Sequence, residues 1–292
     1  MAKDPGTIKR LPDGTVKVRA QNMSPGILKW PGVQCENPDA PEAERYYFKI
    51  FTDKTVYLPD EYEQAVREVL RSGKDIVVLA GNGYSDINPQ RCADWGIKQG
   101  AYEEASFALL DNAYQRLREQ LTGIDIRIAH GASHMGIDLV LMRLAEKYNI
   151  PQLGHSCVRY MFYVQDDDIP VWVGNDVDHY VEGFTDSLDV LVSANGALQS
   201  YRMDVKAVFE KGKHWIPLNV LQAISTTGGP PAMDADGKIV DAVALFYQRV
   251  HMITVQMGVV GEDHWLSMVD KTSTTLVSIC RNLISPQRAF MT

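Results

Sequence analysis

Apolar runs alternate with amphipathic stretches through the middle of this chain. Asp75–Ala80 (DIVVLA), Asp125–Ala129, Pro151–Gly154, Val171–Val173, Asp189–Ala194 (DVLVSA) and His214–Leu218 (HWIPL) read as strands, several of them almost wholly apolar. Strands covered on both faces have this character. Between them, Ala101–Gln120, Leu139–Tyr148 and Tyr201–Lys211 carry helical spacing and are long enough to make crossovers. Ahead of the first strand, EYEQAVREVLRSG spaces its apolar residues for one buried helix face, with Gly73 placed as a C-cap. The alternation predicts an α/β fold with an open, mostly parallel sheet and helices on both faces, whose ligands bind beyond the carboxyl ends of the strands.

The flanks read differently. Residues 1–60 are punctuated by prolines and carry little helix signal, and GTIKRLPDGTVKVRA alternates as a hairpin with Asp13-Gly14 at its turn. They predict an extended or β arm, followed by the α/β domain over 61–222 and a helical extension over 223–292. That extension begins with the Gly/Pro-rich STTGGPPAMDADGK. It continues through VDAVALFYQRVHMITVQMG, read as a long apolar helix suited to core packing or to homodimerisation, and a tail ending SPQRAFMT.

The 292 residues have 45% hydrophobic and 23% charged content, enough for a sizeable core. A net charge of −8 argues against a broad grip on nucleic acid, which needs clustered Lys and Arg. The four cysteines, Cys35, Cys92, Cys157 and Cys280, lie far apart with no C-x-x-C pair, so buried free thiols are expected. No apolar run reaches the roughly 18 residues of a membrane span, and the N-terminus lacks a signal-peptide core. A cytoplasmic, soluble protein is expected.

Three loops that follow strands carry the candidate chemistry. One is Gly81-Asn82-Gly83-Tyr84-Ser85-Asp86. The second runs from Gly131, Ala132 and Ser133 through Gly136 to Asp138, where a buried strand gives way to small residues and then to a helix. The third is Ser193-Ala194-Asn195-Gly196-Ala197-Leu198-Gln199-Ser200 at the end of DVLVSA. Backbone N–H groups at such helix starts suit an anion. Three loops in register predict a phosphorylated small molecule as ligand.

The order VVLAGNG, then IAHGASHMGIDLVLMRLAEKYNIPQLG, then DVLVSANGALQSYRMDVKAVFEKGKHWIPL resembles the Rossmann-like SLOG superfamily, named for the Smf/DprA proteins and the LOG phosphoribohydrolases. Coverage is roughly Asp75 to Val220. The run Gly131–Asp138 is similar to the Gly-x-x-x-Gly-Ile-Asp signature of the DprA branch, with one residue more between its glycines. The resemblance implies a nucleotide site at the sheet edge. LOG enzymes place Pro-Gly-Gly-x-Gly-Thr-x-x-Glu after the penultimate strand, and the Glu takes part in cleaving the N-glycosidic bond. Here Met203 stands at the Glu position and Asp204 one step further on, about 100° away on an α-helix. That departure weighs toward binding without turnover.

Other residues carry paired readings. Asp138 suits a helix N-terminal charge or a ribose acceptor and general base; Arg143 suits a surface arginine or a phosphate contact. His130, His134 and His155 offer ligand contacts but no zinc spacing, so no metal or other cofactor is expected. Asp166–Asp168 read as a solvated turn before Pro170, and Asp176, Asp178 and His179 as a cap or pocket rim. Three functions follow in order: binding of a nucleotide or an NAD- or ADP-ribose-derived molecule as sensor or sequestering protein; N-glycosidic hydrolysis with Asp138 or Asp204 as the carboxylate, assisted by His134; and single-stranded DNA binding in the DprA manner, which the acidic balance disfavours.

Overall fold

The computed structural model describes residues 6–85, 87–197, 201–226 and 262–289. Its strands are β1 (Thr7–Arg10), β2 (Val16–Gln21), β3 (Gln34–Cys35), β4 (Tyr46–Phe51), β5 (Val56–Tyr57), β6 (Ile76–Gly83), β7 (Asp125–His130), β8 (Gln152–Cys157), β9 (Val171–Gly174), β10 (Val190–Ala194) and β11 (His214–Leu218). Its α-helices are α1 (Tyr62–Ala65), α2 (Pro89–Asp94), α3 (Ala101–Gln120), α4 (Gly136–Tyr148), α5 (Val177–Ser187), α6 (Lys206–Glu210), α7 (Val220–Ile224) and α8 (Glu262–Ala289). Seven strands form one sheet in the order β11-β10-β6-β7-β8-β9-β5, with parallel pairing of β10 to β11 and to β6, and of β9 to β8 and to β5. This is the predicted Rossmann-like α/β fold.

The chain divides into two compact units. The first comprises Met1–Ser72, Ala129–His134 and Gln152–Ser187. In it β1, β2, β4 and β3 make a four-stranded antiparallel sheet, with the Asp13-Gly14 hairpin as expected and Gly14 at φ +91°. Strand alternation buries Val16, Val18 and Ala20 against Phe51, Phe162 and Val171.

The second unit comprises Gly73–Ile128, Met135–Pro151 and Leu188–Thr292. Leu79, Ile128, Leu141, Leu144, Val190 and Val192 are wholly or almost wholly buried in its core. Asp189 opens β10 as a structural residue, accepting the Val78 N–H at 2.8 Å. Helix α8, part of the helical extension expected over 223–292, supplies Met268, Leu276, Val277, Cys280 and Ile284 to the same core. The apolar helix expected over VDAVALFYQRVHMITVQMG lies outside the described residues. Cys92, Cys157 and Cys280 are buried free thiols, whereas Cys35 is half-buried. No helix among the described residues is long and apolar enough to cross a membrane.

Candidate functional site

Strand β6 runs three residues further than its apolar pattern suggested, because its glycines let helix α4 lie against it. A Cβ on Gly81 would stand 3.0 Å from Leu141 Cδ1, and one on Gly83 would stand 3.3 Å from Ile137 Cβ and 2.4 Å from the Tyr102 hydroxyl. Gly81 and Gly83 therefore sit within the strand, and Asn82 between them is carried to its carboxyl end. There β6 pairs with β10, and Asn82 lies opposite Ser193. The chain leaves β6 toward β7 on one side and returns to β10 on the other, and open α/β sheets bind ligands at such a reversal.

A buried polar cluster occupies that position. Trp215 Nε1–H donates to Ser193 Oγ at 2.7 Å, Ser193 Oγ–H donates to Asn82 Oδ1 at 2.5 Å, and Asn82 Nδ2–H donates to Asp204 Oδ2 at 3.1 Å. Asp204 is only 7% exposed, and its Oδ1 has no hydrogen-bond partner among the described residues. Burial raises the Asp204 carboxyl from 3.8 to about 7; the negative charge of Asp138 adds to the rise and the Asn82 bond opposes it. Asp138, itself buried, stands in the first turn of α4. Sequence spacing had turned Asp204 away from the ligand side, on the assumption of an α-helix. The segment Tyr201–Val205 is instead wound as a π-helix, so the α-helical angle per residue does not apply, and Asp204 is buried while Met203 is half-buried.

The amides expected to cradle an anion are largely engaged by the protein itself. Gly136, at φ +54°, lies close against another segment: a Cβ there would stand 1.9 Å from the Tyr84 carbonyl oxygen. Its N–H donates to Glu103 Oε1 at 3.1 Å, so a carboxylate of α3 already meets the start of α4. Tyr84 N–H donates to the Tyr102 hydroxyl at 3.1 Å, while Ser85 is exposed. Asn195, at φ +64°, donates its N–H to the Leu218 carbonyl at 3.0 Å and accepts the Leu221 N–H on Oδ1 at 2.9 Å, which ties the turn ahead of Gly196 to α7. Arg143 pairs with Glu104 at 2.7 Å and stacks over Phe107, a contact between α3 and α4. Ser200 lies outside the described residues.

The first unit holds His130, His134 and His155. Ala132, at φ +57° between Gly131 and Ser133, donates its N–H to His130 Nδ1 at 3.1 Å, and His130 Nε2 meets Gln152 Oε1 at 3.1 Å. Burial, with the charges of His155 and Lys54, lowers His130 to about 3, which keeps it neutral. His155 is wholly buried against Trp172 and Phe184 and is likewise lowered to about 3 by burial. His134 Nε2 pairs with Asp167 Oδ2 at 2.8 Å, and Asp167 also pairs with the buried Lys54. No group of three His, Cys, Asp or Glu among the described residues is arranged to hold a metal ion.

Residues 166–168 form the expected bend before Pro170, with Asp166 and Asp168 exposed and Asp167 half-buried, and the first two also tie the bend to the rest of the unit. Asp166 accepts the backbone N–H groups of Thr52, Asp53 and Lys54, at 2.8, 3.0 and 3.0 Å. Asp167 is held low, at about 2, by its hydrogen bonds to His134 and Lys54, which outweigh burial. Asp176 caps α5 by accepting the His179 N–H at 2.8 Å.

No family model and no curated protein matches the chain. Solved structures similar to it include TM1055, a structural-genomics target. That likeness has 14% identity and a TM-score of 0.33, over 48% of this chain and 72% of that one. Another is the molybdenum cofactor carrier protein MCP from Chlamydomonas reinhardtii, with 14% identity and a TM-score of 0.39 over 68% of this chain and 98% of that one.

The structure brings together Asn82, Asp138 and Asp204 in the second unit, whereas His134 belongs to the first unit with Asp167. Ser193 stood at the head of the third candidate loop, whereas Trp215 and Glu103 escaped sequence reasoning as functional candidates, and nothing local marked those two.

Proposed function

We propose that the chain binds a nucleotide or an NAD- or ADP-ribose-derived small molecule beyond the carboxyl ends of β6 and β10, as sensor or sequestering protein. The observation that carries this reading is the Asp204 carboxyl, nine-tenths buried beside Asp138 and Asn82, with Oδ1 lacking a partner among the described residues. A buried polar atom without a partner is costly, and one at a strand-order reversal fits a group completed by ligand. With Gly136 N–H held by Glu103, the sugar and base are the parts that Asn82, Asp138 and Asp204 would meet.

A second reading, hydrolysis of an N-glycosidic bond, is favoured by a specific property of the same residue. A carboxyl raised to about 7 is matched to general acid work at neutral pH, and such assistance contributes roughly 10²–10⁴-fold. Calorimetry of the full chain with AMP, NAD and ADP-ribose tests the binding, with mass spectrometry for released base run in parallel. Saturable heat that Asp204→Ala abolishes supports the proposal. Absence of heat from every probe at high protein concentration overturns it. Release of free base moves the assignment to the hydrolase.

A further inference from the structure

The polar chain that ends on Asp204 has a direction, and the direction follows from its first member. An indole N–H only donates, so Ser193 Oγ must accept from Trp215. The one hydroxyl hydrogen of Ser193 is then left for Asn82, whose contacting atom is the acceptor Oδ1. This fixes the amide with its Nδ2 toward Asp204 Oδ2. In a neutral carboxyl the carbonyl oxygen is the stronger acceptor, so the oxygen that receives the Asn82 N–H is the carbonyl one. The hydrogen of a neutral Asp204 therefore sits on Oδ1, the oxygen without a partner among the described residues.

We propose that Trp215 and Ser193 are positioning residues that act through Asn82 to make Asp204 Oδ1 the donor oxygen, so that the site selects a ligand presenting an acceptor atom, such as an unprotonated ring nitrogen of a base. The inference rests on the small-molecule reading of this site and adds which ligand face the site takes. Sheet register builds the device. Trp215 pairs with Leu191 on the neighbouring strand, two residues before Ser193, and so shares Ser193's face of the sheet. Ser193 is wholly buried between Val192 and Ala194 in an otherwise apolar strand, where a hydroxyl is unfavourable unless both its hydrogen and its lone pair are used. The groups that face Asp204 among the described residues are Asn82 from β6, which favours the ionised form, and Asp138 from α4, which opposes it.

Carbon-13 NMR of the full chain labelled at aspartate carboxyls tests the positioning without any ligand. In Ser193→Ala the Asn82 amide loses the bond that orients it, and its hydrogen bond to Asp204 weakens. The Asp204 midpoint is then expected to rise by about one pH unit, a tenfold change in proton affinity. Ser193→Thr keeps a hydroxyl and restores the midpoint, and Trp215→Phe moves it upward by less. A folded Ser193→Ala protein with an unmoved midpoint, or a Ser193→Thr protein shifted as far as the alanine variant, overturns the relay. Because this titration needs no ligand, failure of every nucleotide to bind sinks the functional reading and leaves the relay standing. For the ligand class the probe is adenine, whose affinity should fall as pH rises through the Asp204 midpoint. A rise over that range, or no adenine binding at any pH, overturns the acceptor preference.

Discussion

Replacing Asp204 by asparagine should change how stability depends on pH, with a sign and size that follow from its burial. The carboxyl titrates at 3.8 when unperturbed and at about 7 in the fold. Below pH 3.8 both folded and unfolded chains hold the proton, and the residue adds no pH-dependent term. Between 3.8 and about 7 the unfolded chain releases the proton while the folded chain keeps it, so the folded state loses ground as pH rises. Above about 7 both forms are ionised and the loss stays constant. A displacement of about three pH units, at about 1.4 kcal/mol per unit, gives a loss approaching about 4 kcal/mol. Asparagine keeps the shape and an acceptor for Asn82 Nδ2 and has no proton to lose. Urea unfolding at a series of pH values, taken as the difference between the two proteins, isolates this residue from every other titrating group. Asp204→Asn should match the parent near pH 3.5 and exceed it by a few kcal/mol at pH 8. Two parallel curves would refute the reasoning, because they would mean that Asp204 is solvated in the fold.

Gly136→Ala places a Cβ against the Tyr84 carbonyl at positive φ and should cost about 4 kcal/mol or prevent folding. Gly14→Ala, at φ +91° with open space around it, should cost only about 1 kcal/mol, and thermal unfolding of the pair separates steric overlap from backbone strain. His130 and His155 are depressed from 6.5 to about 3, so stability present above pH 6.5 is lost as pH falls toward 3. His155→Phe should flatten that loss by the slope of one proton, up to about 1.4 kcal/mol per pH unit in denaturant titrations. Lys54 has a side chain 1% exposed and pairs with Asp167, so Asp167→Ala, which leaves the buried ammonium bonded to the Ile169 carbonyl but without its ion-pair partner, should destabilise more than Lys54→Met. Equal losses in equilibrium unfolding would refute that ordering.

Much of the α/β frame was legible because its signals are local. Ala101–Gln120 and His214–Leu218 are helix and strand at the bounds their patterns give, and the Asp13-Gly14 turn joins the strands that flank it. Strand β6 was cut short at Ala80 because glycine reads as a turn. Only the packing of Ile137 and Leu141 shows why these glycines continue the strand. The helical extension expected over 223–292 includes α8, whose Leu276, Cys280 and Ile284 recur every four residues, with Thr272 in place of an apolar residue between Met268 and Leu276. At the site, Asp138 was legible from its place at a helix start. The placement of Asp204 depended on a π turn, which no periodicity argument distinguishes from an α turn over five residues. The expected amide cradle also depended on long-range partners. Whether Gly136 N–H faces a ligand or Glu103 is decided by a residue 33 positions away.

The central claim is that Asn82, Asp138 and Asp204 form one ligand site at the ends of β6 and β10. Chemical-shift mapping of the full chain during titration with AMP tests it most directly. Saturable changes centred on Asn82 Nδ2–H and the Asp204 carboxyl, with Trp215 Nε1–H following through the relay, are the predicted result. A map centred elsewhere on the protein, with these three signals unmoved at saturation, would contradict the account.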